Sequence, residues 1–222
     1  MADEILDSVT MPDGQEMVLV RWDKHVTIRI GGRPLMSSVE HSSEDALGRI
    51  VVEGLTGVAR PKVLIGGLGL GFTLRAALDG LPSTARIVVA ELLPDVVRWN
   101  RGECGRYASR PLDDPRVKVI VADVGEVIAR HKAAFDAIVL DVDNGPKALT
   151  QRANSGLYTR AALVRARVAL RGGGVLAIWS AFPSRAFTTA LGIVGTVKLV
   201  RPTPTAGGPR YYVWLATRRL PR

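Results

Sequence analysis

The residues best placed to do chemistry in this chain stand where short apolar runs stop. VLI at 63 to 65 runs into Gly66-Gly67-Leu68-Gly69-Leu70-Gly71; IVVAE ends on Glu91, VKVIVAD on Asp123 and FDAIVLD on Asp141. Glycines let a backbone come close to a ligand and adopt positive φ, so a glycine loop between a strand and a helix suits a nucleotide-like group. A carboxylate offers two acceptor oxygens, so Glu91, 20 residues beyond Gly71 and followed by Leu92, fits the two hydroxyls of a ribose. Asp123 suits an adenine amino group, with the Val124 N–H available to a ring nitrogen; it is equally suited to cap the helix that follows. Asp141 is the candidate for binding an amine or accepting its proton. Asp143 and Asn144 are second candidates, or simply turn formers before Gly145-Pro146.

These groups need a scaffold that brings strand ends together. From Pro61 onward the pattern alternates strands (62–66, 86–91, 117–121, 135–141, 173–179) with helices (about 70–79, 94–103, 124–131, 159–170 and 184–192). That alternation predicts a mostly parallel sheet covered on both faces, whose ligands sit outside the carboxyl ends of the strands. TVKLV at 196–200 and RYYVWLATR at 210–218 flank a turn-rich segment and predict an antiparallel hairpin at the sheet edge. The expected architecture is a Rossmann-like α/β domain over residues 41–222, a seven-stranded sheet of the S-adenosylmethionine-dependent methyltransferase type. A small β region over residues 1–40 precedes it, in which 16–22 and 25–31 alternate as a hairpin. HSSEDALGRIVVEGL (41–55) predicts the entering helix, with serines to cap it.

The loop lacks the G-x-G-x-x-G spacing, and the edge hairpin departs from an all-parallel dinucleotide fold, so a nicotinamide cofactor fits less well than an adenosyl sulfonium. The net charge of +9 comes from dispersed Lys and Arg without a dense run or interleaved aromatics, which speaks for a solvated basic surface rather than a nucleic-acid partner. The only cysteine, Cys104, excludes a disulfide framework, and His25, His41 and His131 show no metal-ligand spacing, so no metal is expected. Trp179 and Tyr158 read as core residues. No apolar run is long enough for a membrane span and the acidic start carries no leader pattern, so the expectation is a cytoplasmic protein without a membrane partner.

In order along the chain, the N-terminal hairpin, VLIGGLGLG, VVAELLPDVV, DPRVKVIVAD, FDAIVLDVDNGP and LYTRAALVRARVALRGGGVLAIWS resemble the spermidine synthase family of polyamine aminopropyltransferases. The resemblance implies that the glycine loop binds the nucleoside donor, that Glu91 holds the ribose, that Asp123 faces the adenine, and that the protein is a homodimer. It also implies decarboxylated S-adenosylmethionine as donor and an amine as acceptor. Three departures bear on that. Gly69 stands where the family's G-G-G-D-G-G loop has its acid. Asp141-Val142-Asp143-Asn144 replaces D-[ST]-[ST]-D, and Leu35-Met36 stand near the family's glutamine. Each lost carboxylate removes a charge-assisted contact of roughly 1.5 to 3 kcal/mol to an ammonium. Three readings follow: an aminopropyltransferase-like enzyme, a methyltransferase of a small acceptor using intact S-adenosylmethionine, and a non-catalytic nucleoside-binding homologue.

Overall fold

The computed structural model describes residues 3–11, 13–142, 153–202 and 210–220. The first four strands, β1 (Glu4–Thr10), β2 (Glu16–Trp22), β3 (His25–Ile30) and β4 (Arg33–Ser37), form an antiparallel sheet in the order β1-β2-β3-β4. The hairpin expected at 16–31 is therefore its centre. Alternation within β2 and β3 buries Met17, Leu19, Ile28 and Ile30, and such a half-buried pair needs flanking strands to bury the rest of its face. The sequence reading missed those flanks, β1 and β4. EILDSVT is acidic and largely exposed, and β4 is opened by Arg33-Pro34, so neither shows a clean period of two.

Helix α1 (Ser42–Gly54) follows. His41 stands at its N-cap with no side-chain cap, and Ser42 and Ser43 lie inside the first turn, so serine capping is not realised. The helix buries Leu47 and Val51 and packs along α2 (Phe72–Gly80). That packing is close because Gly48 sits against Thr73, Ala76 and Ala77, where an added Cβ would stand 2.5 Å from the Ala76 Cβ.

The main sheet contains β5 (Lys62–Gly66), β6 (Arg86–Glu91), β7 (Val117–Val121), β8 (Phe135–Leu140), β9 (Leu170–Ser180), β10 (Thr196–Val200) and β11 (Tyr212–Thr217), in the order β10-β11-β9-β8-β5-β6-β7. The expected seven strands are present. Strand β11 is antiparallel to both β9 and β10, while the pairs β5–β6, β6–β7, β5–β8 and β8–β9 are parallel. Strand β9 begins at Leu170, earlier than expected, because Leu170 pairs with Phe135 before the register shifts at the glycines. Helices α3 (Pro94–Arg101), α4 (Val124–Ala129), α5 (Arg160–Ala169) and α6 (Arg185–Leu191) match the expected ones to within a few residues. Strand β8 is buried at every position, as a central parallel strand must be when both faces are covered, and its one charged residue, Asp136, is satisfied by the Lys62 N–H and Arg171.

The chain runs outward from β5 through β6 to β7, then returns to the other side of β5 to lay down β8 and β9. The crevice between the ends of β5 and β8 is thus the switch point at which open α/β sheets bind ligands. One apolar cluster joins the small sheet to this region, packing Met17, Ile28 and Leu47 with Ile65, Leu68 and Val139.

Candidate functional site

At the switch point a cavity of about 440 Å³ opens between the carboxyl ends of β5, β6 and β8 and the small N-terminal sheet. The glycine loop forms its floor. Gly66 is the last residue of β5 and Gly71 takes the N-cap of α2 at φ 88°. The Gly67 N–H donates to Ala90 O at 2.9 Å, and Asp141 N donates to Gly66 O at 2.9 Å, which ties the loop to both neighbouring strands. Gly67 has φ 88°, and an added Cβ would stand 2.2 Å from Asp141 O, so only glycine fits there. On the far side, buried Asn100 donates from Nδ2 to Gly69 O at 2.7 Å and to Val96 O at 2.9 Å, fixing the loop to α3.

Glu91 is 7% exposed at the end of β6. Its Oε2 accepts from the Leu68 N–H at 2.8 Å and its Oε1 from the Leu93 N–H at 2.9 Å. Burial pushes its carboxyl up from the ordinary range against these backbone hydrogen bonds, which favour the charged form. The two bonds occupy two of roughly four acceptor positions, so capacity for ribose hydroxyls remains. The residue does two jobs at once: it shapes the loop and lines the cavity. Neighbouring Leu92 is 40% exposed and also lines it.

Asp123 is the N-cap of α4, its Oδ1 accepting from Gly125 N at 2.6 Å and Glu126 N at 3.2 Å. The capping reading is therefore realised. Those bonds use Oδ1 and leave both Oδ2 and the N–H of buried Val124 outside the cap. Both residues line the cavity, so the adenine reading stays open to them.

Asp141 follows β8 directly, with its Oδ2 accepting from Thr73 Oγ1 at 2.6 Å. Asp141 is half-buried and lines the cavity, with its carboxyl packed among protein groups. That burial, then the negative charge of Glu44, pushes its pKa up to about 7, opposed by the Thr73 hydrogen bond. Asp143 and Asn144 lie outside the described residues.

The site also contains residues that the sequence reading missed. Glu44 reaches it from α1, and its own carboxyl is raised chiefly by burial. Thr73 reaches it from α2, and Met36 from β4 covers Gly69. At Gly69, with φ 53°, an added Cβ would stand 2.6 Å from Met36 Sδ. The place of the expected acid is thus roofed by a thioether. Trp179 lines the cavity as well, and its buried Nε1 has no hydrogen-bond partner among the described residues, which departs from a simple core role. Tyr158, by contrast, meets Phe187 edge-on beside a further apolar cluster that includes Leu163, Leu176 and Trp214, as a core residue should. A polar helical residue such as glutamate or threonine carries no mark in the sequence that it faces a cavity, so Glu44 and Thr73 could be found only by knowing how α1 and α2 pack.

Cys104 is buried and its thiol is pushed up to about 11 by burial, which leaves it a poor nucleophile. His41 stacks on Phe72 at 3.7 Å and pairs with Asp45, while His25 and His131 lie beside Trp22 and Phe135. No cluster of three metal-ligating side chains occurs among the described residues. No described helix is long and apolar enough to cross a membrane.

Residues 49–185 match the family model of the spermine/spermidine synthase domain. The chain belongs to this family. It is 32% identical over 120 residues to polyamine aminopropyltransferase 2 of Pseudomonas aeruginosa, covering 52% of this chain and 32% of that protein. It is 33% identical over 120 residues to polyamine aminopropyltransferase 1 of Hyperthermus butylicus, covering 52% of this chain and 39% of that one. The matches thus span about a third of these relatives' length. The fold superposes on spermidine synthase from Thermotoga maritima with a TM-score of 0.77 at 19% identity, covering 98% of this chain and 74% of that one. It superposes with a TM-score of 0.76, again at 19% identity, on a spermidine synthase in complex with the transition-state analogue AdoDATO, covering 98% and 73%. The family and the methyltransferase-like fold expected from the sequence are therefore shown.

Proposed function

We propose that this protein binds an adenosyl sulfonium donor along the glycine loop and transfers an alkyl group from its sulfur to an amine. Aminopropyl transfer from decarboxylated S-adenosylmethionine is the favoured form. The nucleoside would lie with its ribose toward Glu91 and its base toward Asp123 and Val124. A sulfonium is already an activated leaving group, so the protein needs chiefly to align the partners and to accept a proton.

The observation that carries this reading is Asp141. Its carboxyl sits beside the floor glycines with its pKa raised to about 7, and no cation pairs with it among the described residues. Such a carboxyl is poised to take a proton near neutral pH. In the step proposed, the nitrogen lone pair attacks the carbon next to sulfur and the carbon–sulfur bond breaks. Its electron pair returns to sulfur as a neutral thioether, and the proton shed by nitrogen goes to Asp141. The naming of the related polyamine aminopropyltransferases supports the amine acceptor.

One observation favours a second reading. Met36 stands over Gly69 where a carboxylate would grip an ammonium, so the loop no longer repels the carboxylate of intact S-adenosylmethionine. Methyl transfer from the intact donor would then be allowed. The test is mass spectrometry of the products when the protein is given each donor with a mixture of diamines. Methylthioadenosine with an amine enlarged by an aminopropyl group supports the favoured reading. S-adenosylhomocysteine with a methylated amine supports the second, and turnover of neither donor contradicts both.

A further inference from the structure

Removal of the acid at Gly69 leaves open how the site would hold a cationic group. The answer lies across the cavity on α1. Glu44 lines the same cavity as Asp141, and Thr73 links the two. The Thr73 hydroxyl donates to Asp141 Oδ2 at 2.6 Å while lying 3.3 Å from the Glu44 carbonyl oxygen. Glu44 is close enough for its charge to act on Asp141. Its carboxylate accepts a hydrogen bond from Ser43 Oγ and makes no ion pair among the described residues.

The charges around Glu44 offset it only in part. His41 favours its ionised form but is itself engaged with Asp45, whose negative charge opposes it. Arg49, farther along α1, acts on Tyr211, whose hydroxyl donates to Ser42 O at 3.2 Å. Two carboxyls without an ion-pair partner of their own facing one cavity are costly in an isolated protein, since like charges in a poorly solvated site oppose each other's ionisation. The cost is relieved when a cation enters between them. A primary ammonium carries three N–H donors, and the two carboxyls supply acceptors from two sides.

We propose that Glu44 is a specificity-determining residue, which with Asp141 clamps the ammonium of a primary amine acceptor between α1 and the end of β8. This rests on the transferase reading above and places an acid for the acceptor's ammonium on the first helix. In the apolar surroundings of Met36, Leu35 and Met17, an uncharged acceptor would gain at most ordinary hydrogen bonds from the pair, without the charge pairing.

Calorimetric titration with putrescine, and with butanediol as its uncharged counterpart, tests the clamp on the full chain saturated with methylthioadenosine. The wild type is expected to bind putrescine in clear preference to butanediol. Glu44→Gln should weaken putrescine binding roughly ten-fold or more, with methylthioadenosine affinity unchanged, and Glu44→Asp should recover part of the loss. If Glu44→Gln does not fold, Glu44→Asp replaces it, with weakened putrescine binding as the expected result. Equal putrescine affinity in the wild type and the variant overturns the clamp, as does a wild type that binds methylthioadenosine but shows no preference for the diamine. Failure of the wild type to bind methylthioadenosine strikes the transferase reading itself, so the two failures are told apart.

Discussion

Replacing Asp141 by asparagine keeps the side chain's shape and removes its charge. The Thr73 hydroxyl that donates to Oδ2 at 2.6 Å can donate to the amide oxygen instead. The folded carboxyl has its pKa raised from the ordinary 3.8 to about 7. The folded state therefore binds this proton more tightly than the unfolded chain. The associated stability is fully present below about pH 4 and is lost as pH rises through about 7. At 1.36 kcal/mol per pKa unit, the wild type should lose ~3 kcal/mol from this group between about pH 5 and about pH 8. Asparagine does not titrate, and Glu44 is common to both proteins. The stability advantage of Asp141→Asn should thus grow by ~3 kcal/mol over that range, or roughly 6 to 12 °C in melting temperature for a chain of this size. Thermal melts of both proteins without ligand, across that pH range, read this directly. The same variant should lose alkyl transfer while still binding methylthioadenosine. A stability difference that stays flat with pH, or one that turns against the variant as pH rises, would refute the assignment of Asp141 as a carboxyl with a raised pKa.

Gly67→Ala should destabilise the protein by more than the ~1 kcal/mol of an ordinary exposed glycine change, because its Cβ would fall 2.2 Å from Asp141 O at a φ of 88°; urea denaturation and nucleoside titration of the soluble fraction check this. Glu91→Gln sets an amide NH₂ against one of two backbone donors, those of Leu68 and Leu93. A loss of about 1 to 3 kcal/mol by urea denaturation is expected, together with weaker methylthioadenosine binding by calorimetry. Gly69→Asp combined with Met36→Ala restores a carboxylate and clears the thioether 2.6 Å from the new Cβ. Relative affinity for decarboxylated over intact S-adenosylmethionine should rise on the order of ten-fold or more, measured by competition against methylthioadenosine.

The parts of this molecule that were legible in its sequence are those set by local rules. Strands β5 to β8 carry mostly apolar residues that run into glycine or acid, and a central parallel strand has few other ways to be written. Glu91, Asp123 and Asp141 declared themselves by standing at those ends. The N-cap role of Asp123 was equally readable, since the chemistry of a cap lies within three residues. What stayed hidden depends on contacts between distant segments. Strands β1 and β4 are edges of the small sheet and carry charged or proline positions that blur alternation. The cavity-facing sides of α1 and α2 are set by close packing around Gly48, which no periodicity announces. Met36 could be read as departing from the family pattern, whereas its position over Gly69 belongs to the tertiary fold. The same holds for Trp179, whose apolar neighbours in β9 mark it for a core and whose unpartnered Nε1 marks it for the cavity.

The central claim is that the loop from Gly66 to Gly71, with Glu91 and Asp123 beside it, holds an adenosyl ligand. Calorimetric titration of the full chain with methylthioadenosine, S-adenosylmethionine and decarboxylated S-adenosylmethionine tests it most directly. Saturable one-to-one binding of methylthioadenosine, with the decarboxylated donor preferred over the intact one, is the result this account predicts. Absence of binding by all three ligands to correctly folded protein would contradict it.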